Sequence, residues 1–334
     1  MEIKFLKAGN GDAILIHHNN KNILIDGGND SRHLLGQINL IHENKEIIDL
    51  LIITHHDDDH IKGIIDLLKL VNEGEYGDKN KFIKQVIFNS PRLYLGKIQP
   101  LKDRLLSYKQ AHETEELLLS INPIWKTITD ESEPIILDGL KIDFLSPTVE
   151  DIKEYSENKG AYLSSDYKCD WNSSMHILDK YIDDKSQDTS IFNKSSVVVK
   201  LECNNKKVLL TGDVTPARFE KILEKLVNDN QGNPIAFDFI KLPHHGSYRS
   251  INKKIIESIL CKNYIISTNS KKYFLPNKRA LLKILKFSKR EKSEKINFMF
   301  NYSEALLNLN ITDKELKDYN FTLTSNNKQY GITI

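Results

Sequence analysis

The sequence predicts an α+β chain in which two β-sheets pack face to face with helices on the outside. Three observations lead there. Residues 1–26 and 196–213 each read as meanders of short strands joined by tight turns. Each β-rich stretch then runs into alternating strands and helices. A doubly wound nucleotide-binding sheet is the competing architecture, but its fingerprint is absent: "GNGDA" has no third glycine and no GxxxxGK[ST] occurs.

Along the chain, "MEIKFLKA" is a strand, followed by the turn Gly9-Asn10-Gly11-Asp12 and the strand "AILIHH". Asn19, Asn20 and Lys21 stand between two alternating runs, a hairpin signal, and lead into "NILIDGG". "SRHLLGQINLIHENKEI" has helical spacing, and "IDLLIIT" is a continuous apolar strand of the kind buried on both faces. Apolar residues at 61, 64, 65, 68 and 71 then mark a helix. "FIKQVIFN" reads as a strand, residues 99–121 as mostly helical, and "PIILDGLKIDFLSP" as a hairpin turning on Asp138-Gly139. Residues 150–192 are polar and weakly periodic, and read as an insertion or cap. "SSVVVKLECNNKKVLLTGD" is a second hairpin. A helix at 216–228, the strand "FDFIKLP", a helix after 250 and the strand "NYIIST" follow, and the last 40 residues hold a further helix and one or two strands. The expected organisation is one domain over 1–290, with a C-terminal extension (291–334) packing on it.

Composition narrows the class without naming the activity. The 334 residues are 40% hydrophobic and 28% charged, the profile of a globular protein. Lysine and arginine total 47 against 46 acids, so a nucleic-acid binder would need a local basic patch. Cys169, Cys203 and Cys261 form neither a disulfide framework nor a CxxC zinc site. With no signal peptide and no long apolar run, a reduced cytoplasmic home without a membrane is expected.

The chemistry concentrates in "ITHHDDDHIKG", residues 53–63, directly after the buried strand. Asp57, Asp58 and Asp59 could cap the helix that begins near His60. Capping explains one aspartate, not three flanked by imidazoles. Consecutive carboxylates repel, and a divalent cation supplies the missing counter-charge, since carboxylate and imidazole both bind zinc and manganese. Three other strands end alike: "NILIDGG" in Asp26, "VLLTGD" in Asp213 and "FIKLPHHGS" in His244-His245. Four acid- or imidazole-bearing strand ends point to metal at a shared sheet edge.

These motifs together resemble the metallo-β-lactamase superfamily, most of all the branch containing the metallo-hydrolase domain of ComEC competence proteins. The loop fits H-x-[HD]-x-D-H as His55, Asp57, Asp59 and His60, with His56 and Asp58 at the free positions. "GNGDAILI", "LIDGG", "NKSSVVVKLE", "VLLTGD" and "PHHGS" follow in the family's order, over about residues 1–275. The resemblance implies a four-layer αββα sandwich holding one or two divalent ions, zinc first and manganese as the alternative. His55 and Asp57 would hold one ion, Asp59 and His60 the other, and Asp213 would bridge them. His244 is the favoured further ligand, and His245 the proton donor or phosphate contact. Asp26 would orient the metal loop through hydrogen bonds, so the catalytic residues implied are Asp59, His245 and Asp26.

Two departures are visible. "KKYFLPNK" offers Leu275-Pro276 where the branch often carries a histidine. The usual histidine before the bridging aspartate is also missing, with Asn193 the nearest polar residue and His176 the alternative.

The function implied is a phosphodiesterase or nuclease acting on DNA or RNA through a metal-bridging hydroxide, with a bacterial defence system as one setting and an unidentified protein partner. The alternatives are hydrolysis of a lactone, amide or thioester, and a scaffold or sensor subunit that keeps the fold. Lys62, Lys241, Arg249, Lys253 and Lys254 are the cations expected near the cleft, where they would favour a polyanion.

Overall fold

A computed structural model describes residues 1–91, 108–157, 169–291, 293–325 and 328–334. The expected helix at 99–121 and the insertion at 150–192 therefore lie partly outside the described residues.

One sheet is built from β1 (Glu2–Leu6), β2 (Ile14–His18), β3 (Lys21–Ile25), β4 (Leu50–Ile53), β5 (Gln85–Phe88) and β6 (Ile124–Lys126), with β17 (Gly331–Thr333) closing back on β1. Its order is β17-β1-β2-β3-β4-β5-β6, antiparallel up to β3 and parallel from β3 onward. The second sheet holds β7 (Ile135–Leu137), β8 (Leu140–Ser146), β9 (Val198–Cys203), β10 (Lys206–Leu210), β12 (Phe239–Lys241), β14 (Asn263–Ile266), β15 (Ile296–Phe300) and β16 (Phe321–Ser325). It is antiparallel from β7 to β10 and parallel from β10 to β16. β11 (Ile235–Ala236) and β13 (Ile259–Leu260) form a small separate pair.

Strand periodicity sorts the side chains into layers. In β4, Leu50 and Ile52 point into the space between the sheets, while Leu51 and Ile53 point at the outer helices. In β10, Val208 and Leu210 face the first sheet and Leu209 faces outward. Helices α1 (Arg32–Glu43), α2 (Asp58–Glu73) and α3 (Lys109–Ile121) cover the first sheet with Leu34, Ile38, Ile64, Leu68 and Leu118. On the other side, α7 (Pro216–Asp229), α8 (Lys253–Glu257) and α9 (Lys278–Phe287) cover the second sheet with Phe219, Ile255 and Leu281. Between β8 and β9 run the short helices α4 (Val149–Glu157), α5 (Met175–Asp179) and α6 (Ile191–Lys194). The chain is thus a four-layer αββα sandwich, as expected. The last 40 residues differ in detail: among the described residues they carry two short helices, α10 (Ser303–Asn308) and α11 (Asp313–Asp318), and three strands.

Hairpin turns follow side-chain chemistry. Asn19 and Asn20 adopt φ values of 47° and 60°, the left-handed pair that matches the twist of a two-residue hairpin. The parallel halves of both sheets send their carboxyl ends to the same edge. There Asp26 follows β3, residues 54–60 follow β4, Asp213 follows β10 and His244-His245 follow β12.

Candidate metal centre

Residue 57 is the N-cap of α2, yet its side chain makes no capping hydrogen bond. The Asp57 carboxylate instead lies 3.7 Å from His55 Nε2. Asp58 points away and accepts from Gln110 at 2.8 Å. His56 is buried among Tyr108, Tyr155 and Phe192, with its Nδ1 2.8 Å from the Tyr155 hydroxyl. His56 and Asp58 thus turn away from His55 and Asp57, which lie against one another.

His60 is held there by a close approach of backbones. Gly63, one turn along α2, lies so near the loop after Asp26 that a Cβ on it would sit 2.0 Å from the Gly27 carbonyl oxygen. The amide of Gly27 donates to the His60 carbonyl and that of Gly63 to the Gly28 carbonyl, each at 2.8 Å. Asp26, itself at φ 56°, accepts from the Thr54 amide and hydroxyl at 2.8 and 2.6 Å, and from His60 Nδ1 at 2.7 Å.

The partners decide which nitrogens carry protons. A carboxylate and a carbonyl only accept, so His60 Nδ1 donates to Asp26 and His245 Nδ1 donates to the Ser267 carbonyl at 2.9 Å. In the neutral rings both Nε2 atoms then present lone pairs. They face one another at 3.4 Å, and each lies 3.3 Å from an Asp213 oxygen, His60 from Oδ1 and His245 from Oδ2. Asp59 Oδ2 stands 3.4 Å from His245 Nε2. Acceptors that converge without a shared donor need a cation, or protons in its place.

Without a cation, protons take that role. Burial opposes charge on His60 and His245, but Asp213 and the neighbouring carboxylates outweigh it, raising His60 well above the usual imidazole range and His245 to about 9. Asp213 is driven the other way: burial would raise it, and the imidazoles with Lys241 pull it well below the carboxylate range. Metal binding must displace these protons.

His244 turns elsewhere. Its Nδ1 pairs with Asp188 at 2.9 Å, Asn193 donates to the same Asp188 oxygen at 2.7 Å, and His244 Nε2 lies 4.0 Å from Asp213 Oδ2. His244, His245 and Gly246 all have positive φ (47°, 54° and 83°), which swings the adjacent imidazoles apart, their planes at 89°.

Ligand-type atoms of Asp12, His60, Asp213 and His245 all lie within 4.8 Å of one another. Asp12 is the new member; it sits in the turn after β1, where no metal-loop pattern marks it. Asp188 is likewise new, arriving from the weakly periodic stretch. Lys241 corrects an expectation. It is not a cleft cation: it is fully buried, its Nζ 2.5 Å from Asp12, 2.8 Å from the Gly212 carbonyl and 3.5 Å from Asp213. Its neighbours in β12 are apolar, and an apolar strand buries a lysine only where carboxylates wait for it. His176 is exposed on α5, and Leu275-Pro276 is buried with no imidazole.

Among the described residues, the buried atoms near the cluster without a hydrogen-bond partner include His55 Nε2 and Asp12 Oδ1. An orphaned imidazole nitrogen costs free energy unless something coordinates it. Imidazoles and carboxylates make a donor set that suits a divalent transition metal, so the residues present can hold one. Among the described residues, no helix is long and apolar enough to cross a membrane.

Residues 6–82 match the family model described as the metallo-beta-lactamase superfamily. No curated protein matches the chain. Among solved structures, the metallo-beta-lactamase fold protein YhfI from Bacillus subtilis is 9% identical, covering 100% of this chain and 98% of its own, at a TM-score of 0.44. Zn(2+)-bound PqqB from Methylobacterium extorquens is 10% identical over 100% of this chain and 99% of its own, also at 0.44. A diphosphatase from the PhnP family is 12% identical, covering 100% and 96%, at 0.41. Likeness at this level carries no statement about activity.

Proposed function

We propose that the protein is a divalent-metal-dependent hydrolase of phosphodiester bonds, with DNA or RNA as substrate. The observation that carries it is the convergence of two lone-pair-bearing imidazole nitrogens and the Asp213 carboxylate at 3.3–3.4 Å, at the carboxyl edge of both sheets. A bound divalent ion, zinc first and manganese as the alternative, supplies Lewis acidity toward a phosphoryl oxygen and lowers the pKa of coordinated water.

The chain's own residues hold and orient. Asp59, His60, Asp213 and His245 are assigned to one position, with Asp12 beside them. His55 and Asp57, 3.7 Å apart, would hold a second ion. In this reading His245 joins the ligand set, supported by its 3.3 Å approach to Asp213, and His244, paired with Asp188, is the imidazole left for substrate. Asp26 and the Ser267 carbonyl set the proton-bearing edge of His60 and His245, the arrangement that raises ligand basicity. Lys241 beneath Asp12 and Asp213 offsets part of the acidic charge without reaching the cleft. The cytoplasmic home, the ComEC-type branch and a defence setting belong to the same reading and rest on the sequence motifs.

The test is hydrolysis by protein stripped with chelator and reloaded with zinc or manganese. Substrates are single- and double-stranded DNA and RNA, bis(p-nitrophenyl) phosphate, a lactone and a thioester. Metal-dependent phosphodiester cleavage that vanishes in Asp213→Ala is expected. Turnover of the lactone or thioester alone, or cleavage indifferent to metal, overturns the reading.

A further inference from the structure

His56 is not assigned to metal, yet it is buried as deeply as the ligands beside it, and much of what encloses it comes from the insertion between β8 and β9. Its Nδ1 lies 2.8 Å from the hydroxyl of Tyr155 on α4. The Phe192 ring of α6 meets it edge-on at 4.5 Å, and the Tyr108 ring stacks on it at 5.4 Å. Tyr155 is fixed in turn. Its carbonyl accepts from the Tyr108 hydroxyl at 2.9 Å. One helical turn earlier, the buried Asp151 pairs with Arg218 of α7 and, at 3.4 Å, with Lys194 of α6. The run after Phe192 then touches the metal centre residue by residue. Asn193 donates to Asp188, the partner of His244. The Ser196 hydroxyl accepts from the Asp213 amide at 3.2 Å, and the Val197 amide donates to the Thr54 carbonyl at 3.0 Å. The insertion is stitched to the edge that carries the ligands, and within the loop 55–60 the residue it grips is His56.

The residues on either side of His56 show what that grip serves. The Thr54 hydroxyl has a single proton and gives it to Asp26 at 2.6 Å, so its oxygen accepts from His55 Nδ1 at 3.0 Å. In the neutral ring His55 Nε2 then carries a lone pair. Among the described residues it is buried without a hydrogen-bond partner, 3.7 Å from Asp57 Oδ2. Asp57 itself is extended, at φ −65° and ψ 144°, and along extended backbone successive side chains point in opposite directions. Holding the His56 ring on one face of the loop therefore holds His55 and Asp57 on the other.

We propose that Tyr155 is a positioning residue of the metal centre: its hydroxyl anchors the His56 ring to the insertion and so sets His55 and Asp57 as ligands of the second ion. The proposal rests on the second ion position in the reading above, and gives the insertion a part in building it. Groups that only orient a ligand change metal affinity by about 10- to 100-fold when removed.

Zinc titration against a competing chelator tests it without any hydrolysis assay. Wild-type protein should take up two ions. Tyr155→Phe, which keeps the ring and removes only the hydroxyl, should bind the second about ten-fold or more weakly. Ile222→Ala opens a cavity in the core under α7 and leaves the His56 contact untouched, so it should bind both ions within about twofold of wild type. In a His55→Ala background, Tyr155→Phe should change the affinity for the remaining ion by less than about twofold, because the ligand it serves is gone. A general loosening of the fold would persist in that background. Unchanged second-ion affinity in Tyr155→Phe overturns the proposal, as does an equal loss in Ile222→Ala or a full loss that survives His55→Ala. A single ion in wild-type protein overturns it together with the second position, while the site around Asp213 and its hydrolysis test stand separately.

Discussion

His60 and His245, 185 residues apart in the chain, bring their Nε2 atoms to 3.4 Å with both Nδ1 atoms committed to acceptors. No neutral pair of imidazoles would choose that arrangement. Each nitrogen faces a lone pair of the other, and only protons or a cation relieve it.

The first consequence concerns occupancy. His60→Ala and His245→Ala should each lower bound divalent metal well below wild type, because each removes a donor from the clustered set. His244→Ala should retain more metal, its Nε2 being 4.0 Å from Asp213 while its Nδ1 serves Asp188. Elemental analysis of the three purified variants checks this. Full occupancy in His245→Ala with loss in His244→Ala would restore the opposite assignment.

A second expectation is a pH dependence of opposite sign in the two forms. In metal-free protein the folded-state value of His245 is raised from 6.5 to about 9. A raised value means stability that is complete below the unfolded value and is lost as pH climbs through the folded one. Chelator-treated protein should therefore lose thermal stability from about pH 6.5 to about pH 9. Metal affinity should rise over the same interval, because protons leave as the ion binds. Thermal midpoints with chelator and with saturating zinc, taken across that range, read both slopes.

Asp26→Asn isolates orientation from coordination. Asparagine tolerates the left-handed backbone that Asp26 adopts at φ 56°, so the loop can keep its path. Its amide group cannot match a carboxylate that accepts from Thr54 and His60 at once. Loss of such a partner lowers metal affinity by about 10- to 100-fold. Competitive chelator titration measures the change, and an affinity within twofold of wild type would remove Asp26 from the site's support.

Lys241→Met should destabilise the fold by about 3–5 kcal/mol, since it leaves Asp12 and Asp213 buried without their ammonium partner. Lys241→Met combined with Asp12→Asn should recover part of that loss, because the charge stranded by the first change is removed by the second. Urea unfolding of these two variants and of Asp12→Asn alone, against wild type, supplies the comparison. An additive double variant would show that the pair is not coupled.

Local chemistry was legible along the chain wherever it acts within a few residues. The Asn19-Asn20 and Asp138-Gly139 turns and the doubly buried run of β4 follow from backbone preference and strand patterning, whereas the register of the loop 55–60 came from its resemblance to a family motif. The two-sheet sandwich was also legible, because each β-rich half declares an apolar face that must be covered.

What the sequence by itself determined, then, are the elements and the strand ends that carry acids and imidazoles. Only the tertiary structure decided which of those groups share a site and which are spent on support. Lys241 is a basic residue near "PHHGS" in sequence, but sheet packing seals it over Asp12 and makes it a buried counter-charge. Asp12 and Asp188 enter the centre from a turn and a polar segment that carry no metal-binding spacing. His244 and His245 are chemically identical neighbours, and three consecutive left-handed residues send one toward Asp188 and the other between Asp59 and Asp213. The reason is physical: helix, strand and turn preferences act over a few residues, whereas a metal centre is assembled where two sheets bring distant strand ends to a common edge.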